Sequence, residues 1–104
     1  MDSPPTVVPD AEEYVLRLYV AGLTPRSLRA IDNLKQICAD HLQGRYDLEV
    51  VDIYQDPAAA AAAQIIVAPT LIKQRPAPER RYVGDLSDTE QILAWLDLLP
   101  LAAG

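Results

Sequence analysis

A single cysteine, Cys38, and a single histidine, His41, are all the thiol and imidazole that this sequence offers. An internal disulfide is therefore excluded, dithiol exchange lacks its resolving partner, and the two residues fall short of an ordinary zinc ligand set. Long apolar runs are equally scarce, and none nears the roughly 20 residues of a membrane-spanning helix. Basic residues are outnumbered, 9 against 15 acidic, and a net charge of −6 works against nucleic acid or an anionic membrane as partner. Residues 1–12, with Pro4, Pro5 and Pro9 among small and acidic neighbours, lack the basic start and apolar core of a secretory signal and read as a flexible tail. Residues 101–104 read as a second, shorter one. The expected compartment is the reducing cytoplasm.

What remains is enough for one α/β domain over residues 13–100, since half of the 104 residues are hydrophobic. Tyr14 to Val20 is apolar on both alternating faces except at Arg17, the pattern of a strand covered on two sides. Thr24 then offers a capping oxygen and Pro25 a first helical residue whose missing N–H costs nothing. Leu28, Ile31, Leu34, Cys38 and Leu42 follow at helical spacing, with Arg26, Arg29, Asp32 and Lys35 facing water and Gly44 as the stop. Tyr46 to Tyr54 is a second strand whose Asp47, Glu49 and Asp52 suit a sheet edge, where a further chain can join by strand addition. Asp56-Pro57 opens a helix through the alanines 58–63, and Ile65-Ile66-Val67 directly after it favours extended backbone, so this segment carries a local conflict. Thr70 to Lys73 predicts a third strand, Gln74 to Glu79 a proline-punctuated loop, and Arg80 to Val83 a fourth strand. Ser87-Asp88-Thr89-Glu90 predicts a capping box opening a helix with Ile92, Leu93, Trp95, Leu96 and Leu99 on its apolar face.

The order is βαβαββα with Ala68-Pro69 before the third strand, a thioredoxin-like arrangement in which Pro69 is expected to be cis. The turn that would carry redox cysteines, Gly22-Leu23-Thr24-Pro25, has none. Cys38, on the apolar helix face, reads as a packing residue and His41 as a solvated helix end. A small glutathione-transferase-like or thioredoxin-like ligand or redox domain is the alternative class, because Asp85 to Thr89 places acidic and hydroxyl residues where backbone N–H groups begin a helix. The turn supplies no thiol-activating group beyond Thr24 or Ser27.

Leu18-Tyr19-Val20-Ala21-Gly22 with Thr24-Pro25, Ala68-Pro69-Thr70-Leu71, Arg80-Arg81 and Gly84-Asp85-Leu86-Ser87 occur in fixed order, and together they resemble the KaiB family of circadian clock proteins from about Tyr14 to Leu99. That resemblance implies a protein without enzymatic activity or cofactor. Its implied partners are a KaiC-type hexameric ATPase, KaiA or a KaiA-like protein, and a sensor histidine kinase that it displaces. It also implies two folds: a resting βαββααβ form, tetrameric or dimeric, and a thioredoxin-like form that binds KaiC. By motif matching, Gly84 and Asp85 fall on the switch-sensitive pair, with Pro69, Pro76 and Pro78 punctuating the segment that rearranges, and Arg29 falls on a partner-contacting arginine. Tyr46, Glu49 and Asp52 on the second strand, Gln64 after the alanine run, and Arg80 and Arg81 complete the expected partner-binding set. Glu49, Ala58 to Gln64 and Ala77 depart from the family's usual residues, which implies a divergent paralogue serving a different KaiC-like ATPase.

Overall fold

Strand β1, Tyr14–Val20, runs through the middle of a four-stranded sheet in the computed structural model, which describes residues 13–96 and 98. Helix α1, Pro25–His41, carries the chain across to β2, Tyr46–Asp52, which pairs parallel to β1, as a helical crossover allows. Helix α2, Pro57–Ala62, leads to β3, Thr70–Arg75, antiparallel to β1, and a hairpin adds β4, Arg80–Val83, antiparallel to β3. Helix α3, Thr89–Trp95, closes the order, and the strands lie in the sequence β2-β1-β3-β4. The predicted thioredoxin-like element order is thus the observed one.

Alternation in β1 sends Tyr14, Leu16, Leu18 and Val20 to one face, where they join Ala30, Leu34, Ile37 and Cys38 of α1 and Ile92 and Leu93 of α3 in the core. Leu16, Leu18 and Leu34 are fully buried. The opposite face is thinner: Tyr19 and Ile72 lie under the alanines of α2, and α2 itself buries no residue. Short methyl side chains reach too little of the sheet to build a second core layer there.

Local chemistry sets the element ends. Thr24 Oγ1 accepts from Ser27 N at 3.2 Å with Pro25 in the first turn, and Asp56 caps α2 by accepting from Ala59 N at 3.1 Å. Gly44, at φ +82°, completes the turn after α1, two residues beyond the cap at Leu42.

Four expectations are corrected. The buried stripe of α1 is Ser27, Ala30, Leu34, Ile37 and Cys38, whereas Leu28 is 44% exposed and Ile31 half-buried. Small residues at 27 and 30 let the helix start lie close to the sheet, and the Ser27 hydroxyl is satisfied there by bonds from Ala21 N at 3.2 Å and Thr24 Oγ1 at 3.0 Å. β2 stops at Asp52, not Tyr54, because the Asp52 carboxylate accepts from Tyr54 N at 2.9 Å and folds the next residues into a turn. β3 continues to Arg75, since a register shift between Val15 and Leu16 lets Arg75 pair with Val15. The cap of α3 is Asp88, which accepts from Gln91 N at 3.1 Å, while Ser87 N already donates to Asp85 Oδ1. The predicted tails at 1–12 and 101–104, and Leu99 of the predicted apolar face, lie outside the described residues.

Candidate functional site

Two groups of residues singled out for different reasons meet at one end of the sheet. Arg29 projects from the exposed side of α1, and its Nε lies 3.3 Å from Asp85 Oδ2. One helical turn on, Asn33 donates from Nδ2 to the Asp85 carbonyl at 2.9 Å, so α1 grips both the side chain and the backbone of this residue. The other carboxylate oxygen accepts from Ser87 N at 3.1 Å. Hydrogen bonding from Ser87, followed by the Arg29 guanidinium, holds the Asp85 carboxyl below the usual carboxylate range.

Gly84 precedes this clamp at φ +140°, a backbone setting that side-chain-bearing residues rarely adopt, and its N–H donates to the Pro69 carbonyl at 3.0 Å. An added Cβ would meet Tyr82 Cε1 at an ordinary 3.5 Å, so backbone conformation rather than space selects glycine here. Leu86 follows at φ +65° with its side chain buried. Pro69, Gly84, Asp85 and Arg29 therefore form one connected cluster across β3, β4 and α1.

The remaining predicted residues lie elsewhere. Pro76 and Pro78 are at the far end of the β3–β4 hairpin, where the Pro76 carbonyl accepts from the buried Lys73 ammonium at 2.9 Å. The peptide bonds before Pro69, Pro76 and Pro78 are all cis. Tyr46, Glu49 and Asp52 lie along the β2 edge; Glu49 pairs with Arg17 at 3.0 Å, and Asp52 also accepts from Gly22 N at 3.2 Å. Arg80 and Arg81 each hold a helix end. Arg80 donates to the Trp95 carbonyl at 2.9 Å, and Arg81 donates to the carbonyls of Ala63 and Gln64, the latter at 3.2 Å, with Gln64 at φ +58°. Positive guanidinium groups at these carbonyl ends oppose the negative pole of each helix.

At the position of a redox pair, Gly22 to Pro25 presents backbone, a leucine side chain that is 79% exposed, and a capping threonine. Cys38 is buried beneath α1, and burial pushes its thiol up to about 12, far from a thiolate at neutral pH. In the Asp85–Gln91 segment the chain's own carboxylates take two of the N–H groups that could meet a ligand carboxylate, Asp85 accepting from Ser87 N and Asp88 from Gln91 N. Among the described residues no cluster of His, Cys, Asp and Glu suits a metal ion, and no helix is long and apolar enough to cross a membrane.

Asn33 and Leu86 were missed from the sequence. Asn33 carried a usable signal, since it lies four residues after Arg29 on the same helical face. Leu86 carried none, because a buried leucine in left-handed backbone is imposed by its surroundings.

A four-stranded sheet of this topology, with the proline kept before β3 and the thiols gone, defines a thioredoxin-like domain lacking the redox pair. The chain belongs to the KaiB family: the KaiB domain matches residues 17–98. It is 44% identical over 91 residues to "Circadian clock protein KaiB3" of Synechocystis sp., covering 88% of this chain and 89% of that one. It is 50% identical over 86 residues to "Circadian clock oscillator protein KaiB" of Microcystis aeruginosa, covering 83% of each. Among solved structures, the N-terminal domain of Synechococcus elongatus SasA has the same fold, with a TM-score of 0.69 at 24% identity over 95% of this chain and 94% of that domain. Thioredoxin from Fasciola hepatica matches at a TM-score of 0.67 and 14% identity, covering 88% of this chain and 86% of its own.

Proposed function

We propose that this chain is a non-enzymatic, cytoplasmic KaiB-like clock component whose thioredoxin-like form binds a KaiC-type hexameric ATPase and regulates its phosphorylation and output complexes. The observation that carries the reading is a KaiB-family chain whose thioredoxin-like frame has no thiol at Gly22 to Pro25. What that end of the molecule offers instead is a surface for another protein. Leu23 and Tyr54 are 79% and 72% exposed, Leu28 is also exposed, and Arg29 follows it directly on α1. Apolar groups displayed with a guanidinium are the makings of a contact with a folded partner.

Gly84, Asp85 and Pro69 act as the switch, with Pro76 and Pro78 in the hairpin that moves, and the resting form is the βαββααβ tetramer or dimer that the family resemblance implies. Binding then draws the competent form from a minor population, which lowers the apparent affinity by that fraction. Tyr46, Glu49 and Asp52 form a second surface on β2 for a KaiA-like partner, while Gln64 and Arg81 border a third on the α2 side and Arg80 lies on the opposite face beside α3. A thioredoxin-like frame like that of the SasA N-terminal domain suits competition with the sensor histidine kinase that the family resemblance implies.

Size-exclusion chromatography with KaiC homologues, with and without ATP after hours of incubation, tests the reading. Co-elution is expected, and Gly84→Ala should change both the association rate and the NMR spectrum. A single unchanging conformer that co-elutes with no homologue would overturn it, and glutathione binding at low millimolar concentration would favour the ligand-module alternative.

A further inference from the structure

The two edges of the sheet carry charge of opposite sign. β2 holds Asp47, Glu49 and Asp52 and no basic residue, whereas β4 opens with Arg80-Arg81 and has no acidic one. From Thr70 to Val83 four basic side chains stand against the single carboxylate of Glu79, in a chain of net charge −6. Among the described residues neither outer edge is paired with another strand.

The register places Asp47, Glu49 and Arg81 on one face, and Asp52 and Arg80 on the other. Val15 and Arg17 pair with Asp47 and Glu49, and Arg17 also pairs with Ile72, which pairs with Arg81. Asp47, Glu49 and Arg81 consequently share the face that α2 covers. Strand direction agrees. β2 is parallel to β1, β3 is antiparallel to β1 and β4 is antiparallel to β3, so β4 runs in the direction of β2. A second copy shifted sideways by the width of the four-stranded sheet, without turning over, would lay its β2 parallel to β4 with the charged faces aligned.

Apolar surface lies where that strand would arrive. Val83 is 53% exposed, and with Ile66 at 96% and Val67 at 45% it rims a hollow of about 180 Å³ beside β4. Arg81 spends two donors on the carbonyls of Ala63 and Gln64, leaving other guanidinium N–H groups for an incoming carboxylate. Charges that guard an edge against self-association must repel across the contact. Here they attract.

We propose that the β4 edge receives the β2 edge of a second copy of this chain, extending the sheet head to tail. The contact is heterologous, so it grows into an open series or closes as a ring. With only four residues in β4 it is weak and salt-sensitive. It needs no ATPase, and it is made by the thioredoxin-like form alone, so the resting βαββααβ assembly of the clock reading competes with it.

Sedimentation velocity over rising protein concentration tests it with three variants. Asp47→Lys spoils the β2 edge. Val83→Glu spoils the β4 edge while keeping the Arg81 bonds, and Arg81→Glu serves as a second β4 variant should Val83→Glu misfold. Wild type should form a series of species that shrinks as salt is raised, and each variant alone should associate about tenfold more weakly. An equimolar mixture of Asp47→Lys with a β4 variant retains one intact edge of each kind and should give a dimer that grows no further. A monomer at every concentration, a closed oligomer indifferent to the variants, or a mixture that forms no dimer would overturn the proposal.

Discussion

Replacing Arg80 by methionine removes the bond from its guanidinium to the Trp95 carbonyl, 2.9 Å long at the last residue of α3. α3 has only seven residues, too few to persist without tertiary support, and a second tie at the same end runs from Tyr14 Oη to the Leu96 carbonyl at 2.9 Å. A charged group at a helix C-terminus contributes about 0.3–1 kcal/mol, and a charge-assisted hydrogen bond about 1.5–3 kcal/mol when well buried. Arg80 is half-exposed, so solvent screening holds the combined loss to about 1–1.5 kcal/mol. For a domain of this size that lowers Tm by roughly 4–10 °C. Hydrogen exchange followed by NMR reads the effect: amides of Leu93 and Trp95 should lose about five- to tenfold in protection, and those of Leu16 and Leu18, which exchange through global unfolding, should lose the same factor. Arg80→Lys, which keeps the charge and one donor, should fall between. Unchanged protection in α3 would refute the tie.

Leu34→Ala, at a fully buried position between α1 and the sheet, should cost about 2–5 kcal/mol in urea unfolding with little change in m-value. Asp85→Asn should separate from wild type by pH. The folded carboxyl lies below its ordinary 3.8, so its stabilising share is complete above that value and disappears as pH falls through the folded one. Thermal melts should therefore show a constant gap at neutral pH that closes in acid, and a gap independent of pH would disprove the Ser87 and Arg29 contacts. Cys38 should resist maleimide at pH 7 until urea unfolds the chain, as expected of a buried thiol raised to about 12; rapid labelling of native protein would contradict its packing role.

Much of the frame was legible because short-range chemistry and burial agree. Thr24-Pro25 and Asp56-Pro57 start helices where they stand, and the two-sided apolar pattern of Tyr14 to Val20 marks the central strand. Where the structure departs from that reading, a competing contact overrules the pattern. The Ser87-to-Glu90 box matched by spacing, yet Asp85 takes the Ser87 N–H and the cap moves one residue on. The buried stripe of α1 runs through Ser27 and Ala30 in place of the larger Leu28 and Ile31, because their small size lets the helix approach. The Arg29–Asp85 pair joins positions 56 residues apart, and no local pattern announces such a meeting.

α2 is fastened at its two ends, by Asp56 at the start and Arg81 at the finish, and contributes nothing to the core between them. Its sequence is therefore released from the packing constraints that bind α1 and β1. Lineages can rewrite residues 58–62 toward charge, polarity or plain alanine at small thermodynamic cost, provided the two fastenings stay. Such a stretch is where this scaffold can acquire or shed a recognition specificity while the rest of the chain stands still.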